Sequence, residues 1–356
     1  MTERIASPKL CASALLLVSI LATQPCGAFI NDAQAQPVAD GSELAHSDQI
    51  SANLTAPLPI RDQHPLALLH LSVLPQSASV MGAGSTDLFA SLSISNTLNR
   101  ERGDFLIDAE TRVLEGGVRH AVSPSLELSL QGDVIYRGGG ETDQPIEEWH
   151  SLFGLPNGQR KRVPQNGYAI EGTNRDGSKF SLQRQGIGIG DLVVGAKQRL
   201  WQDTSQAQTV SVAVRSAVPT GANSFGQDAI DFASDLIGEC QLSANLTLHA
   251  GVGYLFFGDI EEEGIHYRRH HGNGFLAAAY RATPSVALLL QVVGASALLE
   301  DLPRYPDFSS YLDVAIRYSA PGVGEATLLL RENPSPDKST TDVTLLAEIR
   351  LPIFSR

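Results

Sequence analysis

The 356-residue sequence predicts an all-β protein: an antiparallel transmembrane β-barrel of about 12 strands with a long loop at the lumen mouth. Three observations carry that expectation. Segments of about ten residues alternate apolar and polar side chains from 87 to 351, the period of a strand with two unlike faces, and that length matches a tilted bilayer crossing. The connections alternate short and long along the chain, as in barrels with short periplasmic turns and longer external loops. Finally, the first 35 residues have the build of a secretory signal.

That signal consists of Arg4 and Lys9, a short apolar core over residues 11–22, and small residues offering cleavage after Ala35 or Ala28. The core is too short to span a bilayer comfortably. Cys11 and Cys26 fall within the signal, which leaves Cys240 in the mature chain and no metal-thiolate spacing. Residues 36–56, rich in Ala, Ser, Asp and Gln, read as a flexible tail. Residues 57–85 begin with three prolines and an apolar patch, and are expected at the barrel rim or in its lumen. Residues 86–356 are assigned to the barrel.

The strands follow in order. Leu88, Ala90, Leu92 and Ile94 alternate with serines. In the second strand Phe105, Ile107, Ala109 and Val113 oppose Asp108, Glu110 and Arg112, and Gly116-Gly117 suggests a bulge where the facing shifts. The third sets Leu126, Leu128, Leu130, Val134 and Tyr136 against Glu127, Ser129, Gln131, Asp133 and Arg137. After residue 180 the pattern resumes nine times, through a glycine-rich strand at 186–201 to the last strand at 343–351. Aromatic girdles are thin: Tyr136, Phe256 and Phe257 at one rim, Trp201, Tyr280, Tyr318 and Phe354 at the other. One segment does not fit a wet lumen, because VALLLQVVGASA at 286–297 is apolar on both faces.

Composition excludes several classes. The chain is 42% apolar and 18% charged, with a net charge of −13, which argues against a nucleic-acid partner. No later run is apolar enough for a spanning helix. Charges on barrel strands must face water or one another. The expected lumen lining is therefore Asp108, Glu110, Arg112, Asp133, Arg137, Lys197, Arg199, Arg215, Asp235, Glu239, Arg317 and Arg331, acting as an internal ion-pair network or a charge-selective pore lining.

The 42-residue stretch 138–179 lacks a strand pattern, and a connection this long is usually functional or disordered. Ile146, Trp149 and Phe153 at helical spacing predict a short amphipathic helix over 145–153, ended by Gly154. Trp149 and Phe153, with Arg160, Lys161 and Arg162 after them, are the candidates for a lumen constriction, the basic trio pairing with lumen acids or anionic lipopolysaccharide.

The pieces PLPIRDQHPL, YRGGG, EEWHSLFGLPNGQR, GIGIGDLVVGAKQRL and RSAVPTG resemble, in order and spacing, a family of uncharacterised bacterial outer-membrane proteins. The resemblance covers roughly residues 57–354. It implies an outer-membrane β-barrel and supplies no activity or catalytic residue.

Nothing in the sequence calls for a cofactor, a metal or catalysis. Glu147, Glu148, His150 and Ser151 are sequence neighbours without a nucleophile elbow, and the histidines at 266, 270 and 271 suit a solvated loop. The expected function is a monomeric channel or solute-binding barrel, or a structural envelope protein. Its partners would be a small solute, outer-membrane lipids, lipopolysaccharide and the barrel-assembly machinery. Two other classes stay open: a lipid-modifying hydrolase, which needs a Ser–His pair near one rim, and a soluble secreted β-sandwich.

Overall fold

The computed structural model describes residues 54–154, 160–221, 225–320, 322–333 and 338–353, without the side chains of Phe153 and Lys161. The signal, most of the 36–56 tail and Phe354 lie outside these residues.

Strands β1 (Thr86–Glu101), β2 (Phe105–Ser123), β3 (Leu126–Gly138), β6 (Gly186–Ile189), β7 (Leu192–Gln202), β8 (Gln208–Val218), β9 (Asp231–Ser243) and β10 (Leu246–Phe256) build half of the wall and more. Strands β13 (His270–Thr283), β14 (Val286–Ser296), β15 (Phe308–Ala320), β16 (Gly324–Glu332) and β17 (Val343–Ile353) complete it. Each pairs antiparallel with its neighbours, and β1 pairs with β17 from Thr86↔Ile353 to Asn96↔Val343, so the sheet closes. β6 and β7 are two halves of one wall strand against β3, which makes a closed antiparallel barrel of 12 strands. Closure leaves the wall no free edge, the condition for a sheet to cross a bilayer.

Short turns join the wall strands at one end, for example at 124–125, 244–245 and 284–285. At the other end lie the long connections and the Arg102–Asp104 turn. That turn is only three residues long because β1 and β2 rise well above their neighbours. The connection after β3 holds helix α1 (Asp143–Phe153) and strands β4 (Ala169–Thr173) and β5 (Lys179–Ser181). β4 continues the sheet beside the raised part of β2, with Phe105↔Gly172 to Asp108↔Ala169. A small hairpin, β11 (Glu261–Glu262) with β12 (Ile265–His266), completes the long-loop end.

The outward side chains form an apolar band. Leu92, Leu114, Val214, Leu288, Leu290, Val314, Ile316, Leu328, Leu345 and Ile349 are all exposed. Trp201, Tyr280 and Tyr318 are exposed near the short-turn end, where interfacial aromatics belong. Phe257 is not a rim residue: it is buried, stacked on His70 at 3.9 Å.

Candidate functional site

The lumen is occupied. Residues 54–84 enter at the short-turn end, rise to the long-loop end, turn over a single 3-10 turn at Ala67–Leu69, and descend to join β1. The path is read from successive contacts. Thr55 O accepts from His249 Nε2 low on β10, and Ala56 O from Arg317 Nη1 low on β15. Midway, Gln291 on β14 takes Leu58 by both main-chain groups, accepting from its N–H at 3.0 Å and donating to its C=O at 3.1 Å. Near the top, Arg331 donates to Arg61 O, Thr111 to Gln63 O, and Tyr311 OH to Asp62 Oδ1. His64 Nε2 meets Asn99 Oδ1 at 3.0 Å.

The descending limb is held the same way. Asp231 Oδ2 accepts from Leu71 N, and Arg215 donates to Ser72 O. Lys197 and Ser211 donate to the carbonyls of Ser77 and Ala78. Glu239 receives the N–H of Ser79, and Glu127 that of Met81. Most of these bonds run from a wall side chain to the segment's main chain. Leu54, Thr55 and Ala56, placed in the flexible tail by the sequence reading, are buried inside this run.

Apolar contacts divide along the path. Leu54, Leu58 and Ile60 pack on Ala279, Ala287, Leu289, Ala315 and Leu329 of β13–β16. This explains why the β14 sequence is apolar on both faces: Leu288 and Leu290 face lipid, whereas Ala287, Leu289 and Val293 face the inserted segment. Burial of Leu58 and Ile60 is worth about 1.5–3 kcal/mol each. Val73 and Ala78 of the descending limb lie against Ile237, Phe275 and Tyr311. Phe275 crosses β10 so closely that a Cβ at Gly251 would sit 2.2 Å from its ring.

The mouth is roofed. Leu66, Leu69 and Leu71 at the segment's tip join Phe105, Ile107, Ile170, Phe180, Phe257, Tyr267 and Tyr305 in one dry core. Burial pushes the phenols of Tyr267 and Tyr305 above their usual range. Small cavities remain in the lumen, among them one of about 60 Å³ beside Glu115, Glu127, Lys197 and Arg215 and one of about 40 Å³ beside Asp62, His271, Tyr311 and Arg331. Each has room for a few waters and no more.

The expected lining residues divide. Asp133, Arg137, Lys197, Arg199, Arg215, Asp235, Glu239, Arg317 and Arg331 lie on the inner face. Asp133 pairs with Arg61 of the inserted segment, Lys197 with Glu127, and Arg215 with Asp235. Arg331 and Asp313 form a two-point pair at 2.6 and 2.9 Å. Arg137 lies over the Phe225 ring, and Arg199, opposite Ser211, donates to Gln202 near the short-turn end.

Asp108, Glu110 and Arg112 do not line the lumen. In the β1–β2 register Glu110 lies opposite Asn96 and Asp108 opposite Leu98, the face away from Asn99 and its lumen partner His64. The register runs through Gly116-Gly117 without a shift; the irregularity falls at Ala121/Ser123. The polar pattern is inverted here because the raised hairpin packs its apolar inner face on the segment's tip. Its polar outer face is roofed by the long loop. Glu110 Oε2 accepts from the N–H groups of Glu141 and Thr142, capping the approach to α1, and Glu110 pairs with Arg112.

The constriction candidates move with that loop. Helix α1 forms near the expected residues and ends at Gly154 in the left-handed conformation (φ 70°). It lies on the outer side of the wall. Arg160 is buried and clamps Asp143, Asn96 and Asp342 from outside, and Arg162 is exposed with its carbonyl bonded to Arg100. Trp149 is 38% exposed and sits by Glu332, on the lipid-facing side of β16. The part of the long loop that does cover the mouth is β4–β5, through Ile170, Phe180 and Leu182. The side chains of Phe153 and Lys161 lie outside the description.

A closed barrel with an apolar outer band, a charged inner wall and roofed long loops is an outer-membrane β-barrel in architecture. The chain belongs to the family described as Protein of unknown function (DUF3187), whose model matches residues 43–348. No curated protein matches it in sequence. Among solved structures it is similar to the COG4313 outer membrane channel from Pseudomonas putida F1, with TM-score 0.55 and 12% identity, over 79% of this chain and 100% of that one. It also matches the NanC porin, with TM-score 0.44 and 8% identity over 76% and 100% of the two chains. The P. putida toluene transporter TodX follows, with TM-score 0.41 and 10% identity over 83% and 94%.

Proposed function

We propose that this protein is a monomeric outer-membrane channel for a small solute, held shut by its own N-terminal segment. The observation that carries the reading is the pairing of a charged inner wall with a separate, double-backed segment that fills it. A purely structural barrel has no need of buried ions such as Arg317, Arg331 and Asp313, each 0% exposed. The segment's displacement would free Asp133, Arg215, Arg317 and Arg331 to meet solute, and the solute preference is assigned to these lumen groups, not to Trp149 or the 160–162 cluster. The short-turn end faces the periplasm on this reading, so residues 1–35 act as the export signal and the segment enters from the periplasmic side. Barrel-assembly machinery would insert the wall, and lipopolysaccharide would meet the exposed basic residues of the long loops, Arg162 among them.

Planar-bilayer recording tests the channel. The parent chain is expected to be closed for most of the record, and the chain carrying Leu58→Ser and Ile60→Ser to show stepwise currents. Absence of steps in a folded double variant whose segment exchanges freely with solvent would remove the channel reading and leave a closed structural barrel.

A further inference from the structure

The way the lumen holds its segment is that of a peptide receptor. In the ascending limb Arg317, His249, Gln291 and Arg331 all engage main-chain groups, not side chains. Pro57 and Pro59 supply no N–H, so carbonyls predominate in what the wall reads here. The chain bends around Pro59, where Ile60 N–H bonds to Leu58 O, and Leu54, Leu58 and Ile60 all present their side chains to the aliphatic wall of β13–β16. Main-chain bonds supply affinity whatever the sequence, and apolar contacts on one side supply a preference, the division of labour by which peptides are recognised.

We propose that the barrel lumen is a binding tunnel for a proline-interrupted peptide with aliphatic side chains gathered on one side, and that residues 54–64 occupy it as a ligand in cis. This rests on the channel reading and names the solute class: oligopeptides competing with the segment. Covalent attachment gives the segment a local concentration on the order of millimolar, so free peptide enters only once the segment is weakened or cut.

The test uses the full chain with Leu58→Ser and Ile60→Ser, folded in micelles, titrated with a fluorescein-labelled peptide of residues 54–64. Anisotropy is expected to show saturable binding at least ten-fold tighter than to the parent chain. A second peptide keeping the prolines, the aliphatic positions, Arg61 and Asp62, with Thr55 and Gln63 replaced by serine, should bind within ten-fold of the first. Gln291→Leu in the same background should weaken both at least five-fold. Should the double variant fail to fold, a protease site at the exposed Gly82–Ala83 turn, cut after folding, leaves the segment as an exchangeable ligand in an intact barrel. Free peptide failing to bind a barrel whose segment has left overturns the proposal, as does binding of the exact sequence alone or indifference to Gln291→Leu. Peptide binding without conductance would overturn the channel reading instead, and conductance without peptide binding would overturn this one.

Discussion

Gln291→Leu is the most direct probe of how the segment is held. Gln291 and Leu58 are each 1% exposed, so water cannot replace the two bonds the amide makes to the Leu58 main chain. Leucine fits the volume but leaves the Leu58 N–H buried without a partner, at about 1–3 kcal/mol, while the Leu58 C=O keeps the Ile60 N–H. It also removes a donor from Asp313, which keeps Arg331. Because the segment's undocked state satisfies that group with water, the whole penalty of about 1–3 kcal/mol falls on the docked state. At 1.4 kcal/mol per decade, the undocked population rises by roughly five-fold to 140-fold. Hydrogen exchange of residues 54–64, read by mass spectrometry on the protein in micelles, should accelerate by at least five-fold, and open time in bilayers should rise with it. Leu288→Ala, on the lipid side of the same strand, is the control and should leave both unchanged. Exchange within two-fold of the parent would refute the view that main-chain capture holds the segment.

Three further outcomes follow from the same geometry. Arg331→Met strands Asp313, 0% exposed, as an unpaired buried charge and should cost about 3–5 kcal/mol in denaturant unfolding, most of it recovered by adding Asp313→Leu; a double variant no better than the single would contradict this. Trp149→Ala should leave conductance and ion preference untouched, while Arg160→Met, which releases Asp143, Asn96 and Asp342, should speed protease cleavage within 139–168 without opening the lumen; altered conductance in either would return the loop to the lumen. At the rim, a hydrogen bond from Arg304 holds the Asp104 carboxyl below its usual 3.8. A depressed carboxylate contributes above its unfolded pKa and loses that contribution as pH falls through its folded one. Exchange of residues 297–307 should therefore quicken below about pH 4, and Arg304→Gln should remove the pH dependence; flat exchange down to pH 3 in the parent would refute it.

Much of the wall was legible in the sequence, because a lipid-facing strand face must be apolar and a two-residue period leaves only two facings. Strands β3, β8 and β15 show this: Asp133, Arg215 and Arg317 face inward as the alternation requires. The facing of β2 was not legible. Above the membrane the rule that sorts apolar from polar reverses, since Phe105 and Ile107 find a dry core inside and Asp108 and Glu110 find the loop outside. Local pattern cannot distinguish these environments; the lengths of β1 and β2, which outrun a bilayer span, were the available signal. The amphipathic spacing of α1 fixed a helix but not the surface that would receive it. The N-terminal segment was expected at the rim or in the lumen, but its rise and return through the whole barrel was not legible, because prolines and an apolar patch describe a buried segment without saying which surface buries it.

The β14 anomaly contained the missing information. A strand apolar on both faces in a barrel demands apolar matter inside, and among the described residues Leu54, Leu58 and Ile60 supply it. What makes that occupant separable is its bonding. Its main-chain bonds to its own chain are local, such as Ile60 N–H to Leu58 O and His70 N–H to Ala67 O, until Gly84 and Ser85 join Ala121 at the exit. Between Leu54 and Met81 the described contacts with the wall come from wall side chains, whereas the wall's ladders run strand to strand around the closed ring. Withdrawing the segment therefore breaks none of the ladder bonds that close the barrel, although it bares the aliphatic side of β13–β16 beside the charged positions. A plug built into the sheet could leave only by unfolding it; one held by wall side chains meets the physical requirement that the proposed gate places on it.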